Sequence, residues 1–301
     1  MSTSRRTLWK GGLSASLVAL VGTSARANLL PDTGSSTAAL PLKSGYAPIN
    51  GLRMYYEIHG NSGDTPLLLL HGGGSTIQST FGRALPFLAR TRQVIARDEQ
   101  AHGRTNDRGT PERFESSADD VAALLSHLNI QKADLFGFSN GAGVAMQVAI
   151  RHPEKVRKLV FASYMISRDG AYPALWEMIK KGTFAAMPQP LKDAFLAVNP
   201  DHKALELMYE RDAERMRSWQ GFDRDSVARL RCPTLIVCGD RDVVKPEHAV
   251  EMSHVIAHSR LLIVPGNHGS YLGDALTPAP GDEPRLVCGL VTEFLDDAVK
   301  G

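Results

Sequence analysis

The sequence predicts an α/β fold: a doubly wound, mostly parallel sheet carrying one helical insertion. Three observations predict it. From Pro66 to the C-terminus, short apolar runs alternate with amphipathic segments. Within that series, an apolar run ending at Phe138 turns at Ser139 directly into a small-residue helix. Between Ser163 and Leu230 the alternation stops, and helical pieces fill the interval without a strand.

The 301 residues are 43% hydrophobic and 22% charged, an ordinary globular composition with ample material for a core. Net charge is +2, and the positive excess lies in residues 1–27, which hold Arg5, Arg6, Lys10 and Arg26 and no acid. The near-neutral remainder has no basic run, which removes the electrostatic case for nucleic acid. Arg5-Arg6 precede an apolar run from Gly11 to Gly22, and Ala25-Arg26-Ala27 supplies small residues after it. Residues 1–27 therefore read as a secretory signal similar to the twin-arginine export class, with a periplasmic or secreted product. The run is too short to span a bilayer, which takes about 20 residues, so no stable membrane insertion is expected after processing. Cys232 and Cys238 bracket a single strand and cannot pair with each other. Cys238 with Cys288 stays open, and buried free thiols are the simpler reading of all three.

In order, residues 28–48 are rich in Ser, Thr, Gly and Pro and read as a mobile leader, with the folded domain over 49–301. Met54 to His59 has strand character, and Pro66 to Leu70 is a strand apolar on both faces, ending in His71-Gly72-Gly73-Gly74. A helix is expected over Phe81 to Ala89, a strand over Gln93 to Arg97, and a helix over Glu115 to Asn129, where Val121, Leu124, Leu125 and Leu128 share a face. The strand from Ala133 to Phe138 and its helix follow, then a strand over Lys158 to Ala162. The insertion, about 165–230, offers helices at Ala174 to Lys181, Leu191 to Ala197 and Ala204 to Trp219. Its apolar and aromatic residues Tyr172, Trp176, Met178, Phe184, Met187, Phe195 and Trp219 either roof a pocket or hold the insertion down. Strands at Pro233 to Val237 and Arg260 to Val264 flank a helix near Glu247 to Ala257. A last amphipathic helix takes Leu286, Val287, Leu290, Val291, Phe294 and Leu295.

Gly137-Phe138-Ser139-Asn140-Gly141 between strand and helix is a G-x-S-x-G elbow. Glycines two residues either side of Ser139 remove Cβ atoms from a turn too sharp to hold them. A serine needs a base in hydrogen-bond reach and a group orienting that base. On a doubly wound sheet such partners lie past the C-terminal ends of strands. Asp242, in Gly239-Asp240-Arg241-Asp242, and His268, in Gly266-Asn267-His268, occupy two such loops.

With the His71-Gly72 loop, the elbow, Gly-x-x-Asp and Gly-x-His in this order, the chain resembles the α/β-hydrolase fold superfamily from about Leu52 onward. It looks like a serine esterase or lipase whose helical insertion is a cap. Asp98 with His102-Gly103 also resembles the family's loop at that point. The resemblance implies Ser139 as nucleophile, His268 as its base and Asp242 as the orienting acid. Asp240 and, more remotely, Asp169 are the alternatives for the acid. It implies backbone N–H groups of Gly73, Gly74 and Asn140 as oxyanion donors, and structural roles for His71 and His102. The implied reaction is hydrolysis of a small carboxylic ester or lactone through an acyl-serine, with no cofactor and no metal. Alternatives on the same three residues are carbon–carbon or amide hydrolysis, or cofactor-free perhydrolysis; a non-catalytic ligand-binding protein is a further alternative. A serine at the elbow argues against haloalkane dehalogenase and epoxide hydrolase chemistry. A cap cation placed for a substrate carboxylate, from Lys180, Lys181, Lys192 or Arg211, would favour the carbon–carbon hydrolases. Oligomeric state is not specified by the sequence.

Overall fold

A computed structural model describes residues 41–61, 65–277 and 281–298; the expected signal and residues 28–40 of the expected leader lie outside the described residues. The rest of that leader is not a leader. Residues 43–48 belong to strand β1 (Lys43–Ile49), which pairs antiparallel with β2 (Leu52–His59). Asn50 (φ 48°) and Gly51 (φ 84°) form the two-residue turn between them. Asn-Gly suits such a turn because both residues tolerate positive φ.

β3 (Leu67–Leu70) is buried along its whole length, as its unbroken leucines require of a strand covered on both faces. The helix expected next is broken into α1 (Ile77–Phe81), capped by Thr76 and Ser79, and α2 (Leu85–Leu88). Pro86 explains the break: without an N–H it cannot continue a helix from Gly82, yet it suits the first turn of a new one.

β4 (Val94–Arg97), α3 (Phe114–His127), β5 (Ala133–Phe138), α4 (Asn140–Arg151) and β6 (Val156–Ala162) follow the expected alternation. So do β7 (Thr234–Gly239), α9 (Pro246–Val255), β8 (Ser259–Val264) and α10 (Glu283–Asp296), after the cap helices α5 (Pro173–Lys181), α6 (Gln189–Leu196), α7 (His202–Ser218) and α8 (Arg224–Ala228). The eight strands form one sheet in the order β1-β2-β4-β3-β5-β6-β7-β8. Pairing is parallel from β4 to β8 and antiparallel at β1–β2 and β2–β4.

Apolar side chains of α3, α4 and α9 pack on one face of the sheet, and those of α1, α2 and α10 on the other. The cap has a small core of its own, Met187, Phe195, Leu205 and Met208. All three cysteines are buried free thiols, and burial pushes Cys238 and Cys288 up to about 12. One buried cation ties the two layers together. The Lys158 ammonium, on β6, donates to the carbonyls of Phe294 (2.6 Å), Leu295 (3.2 Å) and Asp297 (2.5 Å) at the C-terminal end of α10, where a helix favours positive charge.

Candidate active site

The elbow is built as its glycines foretell. Ser139 has φ 53° and ψ −128°, a backbone conformation costly for a non-glycine residue. Its N–H donates to Ala162 O at 2.9 Å, which fixes the strained turn to β6. A Cβ on Gly137 would collide with Gly141 O, and one on Gly141 with the carbonyls of Leu70 and His71. The two backbones touch only because neither residue has a side chain.

The strand ends bring three predicted residues together. Asp242 follows β7 and His268 follows β8. His268 Nδ1–H donates to Asp242 Oδ1 at 2.7 Å, and Ser139 Oγ–H donates to His268 Nε2 at 3.1 Å. A carboxylate can only accept, so it fixes the imidazole proton on Nδ1 and leaves the Nε2 lone pair facing the serine. Oδ1 of Asp242 also accepts the Val243 N–H (2.6 Å) and, more weakly, that of Val244 (3.4 Å). Its Oδ2 accepts from Ser163 Oγ, which is paired with Tyr271 Oη at 2.6 Å.

Burial opposes ionisation of Asp242, but His268 and the surrounding donors outweigh it and hold the carboxyl below its usual range. Burial likewise disfavours an imidazolium at His268, yet the charge and hydrogen bond of Asp242, with Asp274 beyond, raise its pKa above the usual 6.5. The alternative acids lie elsewhere: Asp240 accepts from Gly266 N–H at 2.7 Å, and Asp169 is exposed and bonded to Ser167.

Of the three predicted oxyanion donors, two are available. The N–H groups of Gly73 and Asn140 have no acceptor among the described residues, whereas Gly74 N–H donates to Asp212 Oδ2. That corrects the expectation for Gly74. His71 ties its loop down: Nδ1–H donates to Gly72 O at 2.8 Å, and Nε2 accepts from Glu99 N–H at 3.0 Å. Buried in that neutral form, its pKa falls to about 3. His102 has the opposite state. Its Nδ1 donates to Gln100 O at 2.8 Å and its Nε2 to Asp212 at 2.9 Å, so both nitrogens are donors. Burial alone would lower its pKa, but Asp212 and the nearby glutamates raise it to about 9.

Ser139, Asn140, Gly73 and His268 open into a cavity of about 460 Å³, roofed by Met178, Met187, Leu191, Tyr209 and Met216 of the cap. Among the described residues no Lys or Arg lines it. Lys181 pairs with Glu177 and Arg211 with Asp107, while Lys192 donates to Ala185 O and Lys180 is exposed. Of the seven cap residues singled out in the sequence, Met178 and Met187 line the cavity, and Trp176 instead stacks on Trp219. Asp212, Ser163 and Tyr271 were not singled out. For Asp212 a signal existed: on α7 it shares one helical face with Leu205, Met208 and Met216, an acid where the period calls for an apolar residue.

Comparison with known proteins agrees with this architecture. Residues 65–202 match a family model described as alpha/beta hydrolase fold. The chain is 27% identical over 228 residues to the 2-hydroxymuconate semialdehyde hydrolase of Pseudomonas sp. strain CF600, covering 68% of this chain and 80% of that protein. It is 27% identical over 267 residues to the human (Homo sapiens) serine hydrolase BPHL, covering 81% and 86%. The enol-lactonase from Burkholderia xenovorans LB400 superposes with a TM-score of 0.67 at 18% identity, over 84% of this chain and 100% of that one. By its sheet order, its strand–serine–helix turn and these likenesses, the chain has the alpha/beta hydrolase fold.

Proposed function

We propose that this hydrolase cleaves a small neutral carboxylic ester or lactone through an acyl-serine at Ser139. The observation behind this reading is the continuous Ser139–His268–Asp242 hydrogen-bond chain beneath an apolar roof, beside two unpaired backbone N–H groups. As Ser139 Oγ attacks the substrate carbonyl, His268 Nε2 takes its proton, a step worth about 10²–10⁴-fold. The imidazolium so formed is stabilised by Asp242. The carbonyl oxygen becomes an anion that the Gly73 and Asn140 amides can meet, each such donor being worth about 10²–10³-fold. His268 then passes its proton to the departing alkoxide, which leaves as the alcohol. A water molecule, deprotonated by the same nitrogen, attacks the acyl-serine; the bond to Ser139 Oγ then breaks, His268 returns the proton to that oxygen, and the acid leaves. Each step closes with the chain's own groups, and none calls for a cofactor.

That no Lys or Arg lines the cavity among the described residues supports neutral acyl groups over substrates that carry a carboxylate. Export of the product through residues 1–27 stands beside this as a separate proposal, checked by N-terminal sequencing of the protein recovered from its host. The catalytic reading is tested by p-nitrophenol release from esters of increasing acyl length, with Ser139→Ala alongside. Turnover that drops by several orders of magnitude in the variant is expected. Turnover that survives would overturn the reading. Turnover of 2-hydroxymuconate semialdehyde, the compound in the Pseudomonas relative's name, with neutral esters inert, would favour the carbon–carbon alternative.

A further inference from the structure

We propose that Asp212, carried by cap helix α7, is a positioning residue for the oxyanion site: it clamps the Gly73–Gly74 loop and the Asn140 side chain, so that a seated cap is what assembles the site. The inference rests on the acyl-transfer reading above. Four donors converge on this one carboxylate. Oδ2 accepts from the Gly74 N–H and from His102 Nε2 at 2.9 Å. Oδ1 accepts from Asn140 Nδ2 at 3.0 Å and from Arg215 Nη2 at 2.5 Å. They come from four separate places: the loop after β3, the loop after β4, the residue after Ser139, and α7 itself.

A buried carboxylate with all four acceptor positions filled has none left for a ligand. Asp212 is therefore part of the frame, although it borders the cavity. Burial by itself would favour the neutral acid, but His102 and Arg215 supply the opposing charges, together with the Gly74 N–H, and keep the group ionised. Charge is thus settled inside the cluster, and the clamp adds little repulsion to an oxyanion forming nearby.

The clamp fixes a loop that has no freedom to spare. A Cβ on Gly73 would overlap Asn140 Nδ2 and come within 3.0 Å of Asp212 Oδ2. A Cβ on Gly72 would lie 3.3 Å from Ser139 Cβ, so the loop crosses directly beside the nucleophile. With the Gly74 N–H drawn to Asp212, the preceding Gly73 N–H is left unpaired as the loop's free donor at the site.

The experiment is Asp212→Asn in the full chain, with circular dichroism to establish folding. A carboxamide must turn its NH2 toward either Gly74 and His102 or Asn140 and Arg215, and both sides hold donors. Two inhibitors separate transition-state from ground-state binding: a trifluoromethyl ketone, which forms an anionic adduct on Ser139, and the isosteric ether, which does not. We expect kcat to fall by about tenfold or more and ketone affinity to weaken in step, with KM and ether affinity changed less than about twofold. Asn140→Ala, which keeps the backbone donor and removes one arm of the clamp, moves both in the same direction by less. It decides the matter if Asp212→Asn does not fold, since an unchanged kcat there would overturn the clamp. A folded Asp212→Asn enzyme with wild-type kcat, or one that loses ketone and ether affinity equally, would overturn it too. Fluorophosphonate labelling keeps the two readings apart. Wild-type protein unlabelled at Ser139 refutes acyl transfer and the clamp with it, whereas labelled wild type with an unaffected Asp212→Asn refutes the clamp alone.

Discussion

Replacing Asp242 by asparagine separates two things that the carboxylate does for His268: holding its proton on Nδ1 and stabilising its positive charge. In a trypsin-type triad the carboxamide enforces the wrong imidazole tautomer, at a cost of about 10⁴-fold in kcat. Here the surroundings forbid the rotation this needs. The Val243 N–H, 2.6 Å from Oδ1, needs an acceptor on the same atom that receives His268 Nδ1–H. On the Oδ2 side the backbone donor, the Gly239 N–H, is 3.4 Å away and gives up little, and the Ser163 hydroxyl can reverse, accepting from an NH2 while donating to Tyr271 Oη, 2.6 Å away. The amide oxygen therefore stays with His268 and the tautomer is kept. What is lost is charge: two unit charges about 4 Å apart attract by about 4 kcal/mol at an effective dielectric near 20. The retained neutral hydrogen bond offsets about 1 kcal/mol of that. Some 3 kcal/mol remains, and at about 1.4 kcal/mol per tenfold this predicts a loss of roughly a hundredfold in kcat. With its stabilising anion gone, His268 also protonates less readily. The acid limb of the kcat/KM profile, expected above pH 6.5 in the parent protein because Asp242 raises the His268 pKa, moves to lower pH in the variant. Ester turnover across pH measures both quantities. A loss near 10⁴-fold with an unmoved acid limb would refute the argument, because it would mean that the carboxamide had rotated.

Two further outcomes concern stability. Lys158→Met removes three donors from the end of α10 while returning the desolvation cost of one buried ammonium. A net loss of about 2–3 kcal/mol, or a Tm lower by about 5 °C or more with kcat intact, is expected by differential scanning calorimetry; an unchanged Tm would remove Lys158 from the account of α10 docking. His102, with a folded pKa of about 9 against the usual 6.5, contributes stability that is complete below pH 6.5 and lost as pH rises through about 9. Glu112, its carboxyl pushed up to about 8 by burial, acts in the same direction. His102→Gln should therefore lower Tm at pH 6 and flatten the decline toward pH 9, and a profile merely displaced in parallel would contradict this.

The parts of the molecule that were legible in the sequence are those fixed by local sterics. Gly137 and Gly141 announce the elbow because the turn admits no Cβ, and Asp242 and His268 follow apolar runs that form parallel strands, the first buried throughout and the second at the sheet edge. β1 was hidden by the polar, small-residue composition around it, although Asn50-Gly51 carries the hairpin signal that would have found it. The division of the first helix is marked in the sequence by Gly82 and Pro86. The helical period marks Asp212 as an acid on a buried face but does not say what it meets. Its partners Gly74 and Asn140 lie 138 and 72 positions away, and only the docking of the cap brings them together. Ser163 and Tyr271 belong to the same class, 108 residues apart and joined by the closing of the sheet.

The strand that delivers His268 is the last in the sheet. β8 pairs with β7 alone among the described strands, and Leu261 and Ile263 on it are partly open to solvent. The serine, by contrast, leaves β5, which is held from both sides and buried throughout. Ser139 and His268 therefore belong to regions of different resistance to opening. Fraying of this edge strand would displace His268 while the centre of the sheet stays closed, an opening that costs less than unfolding and reverses when the edge pairs again.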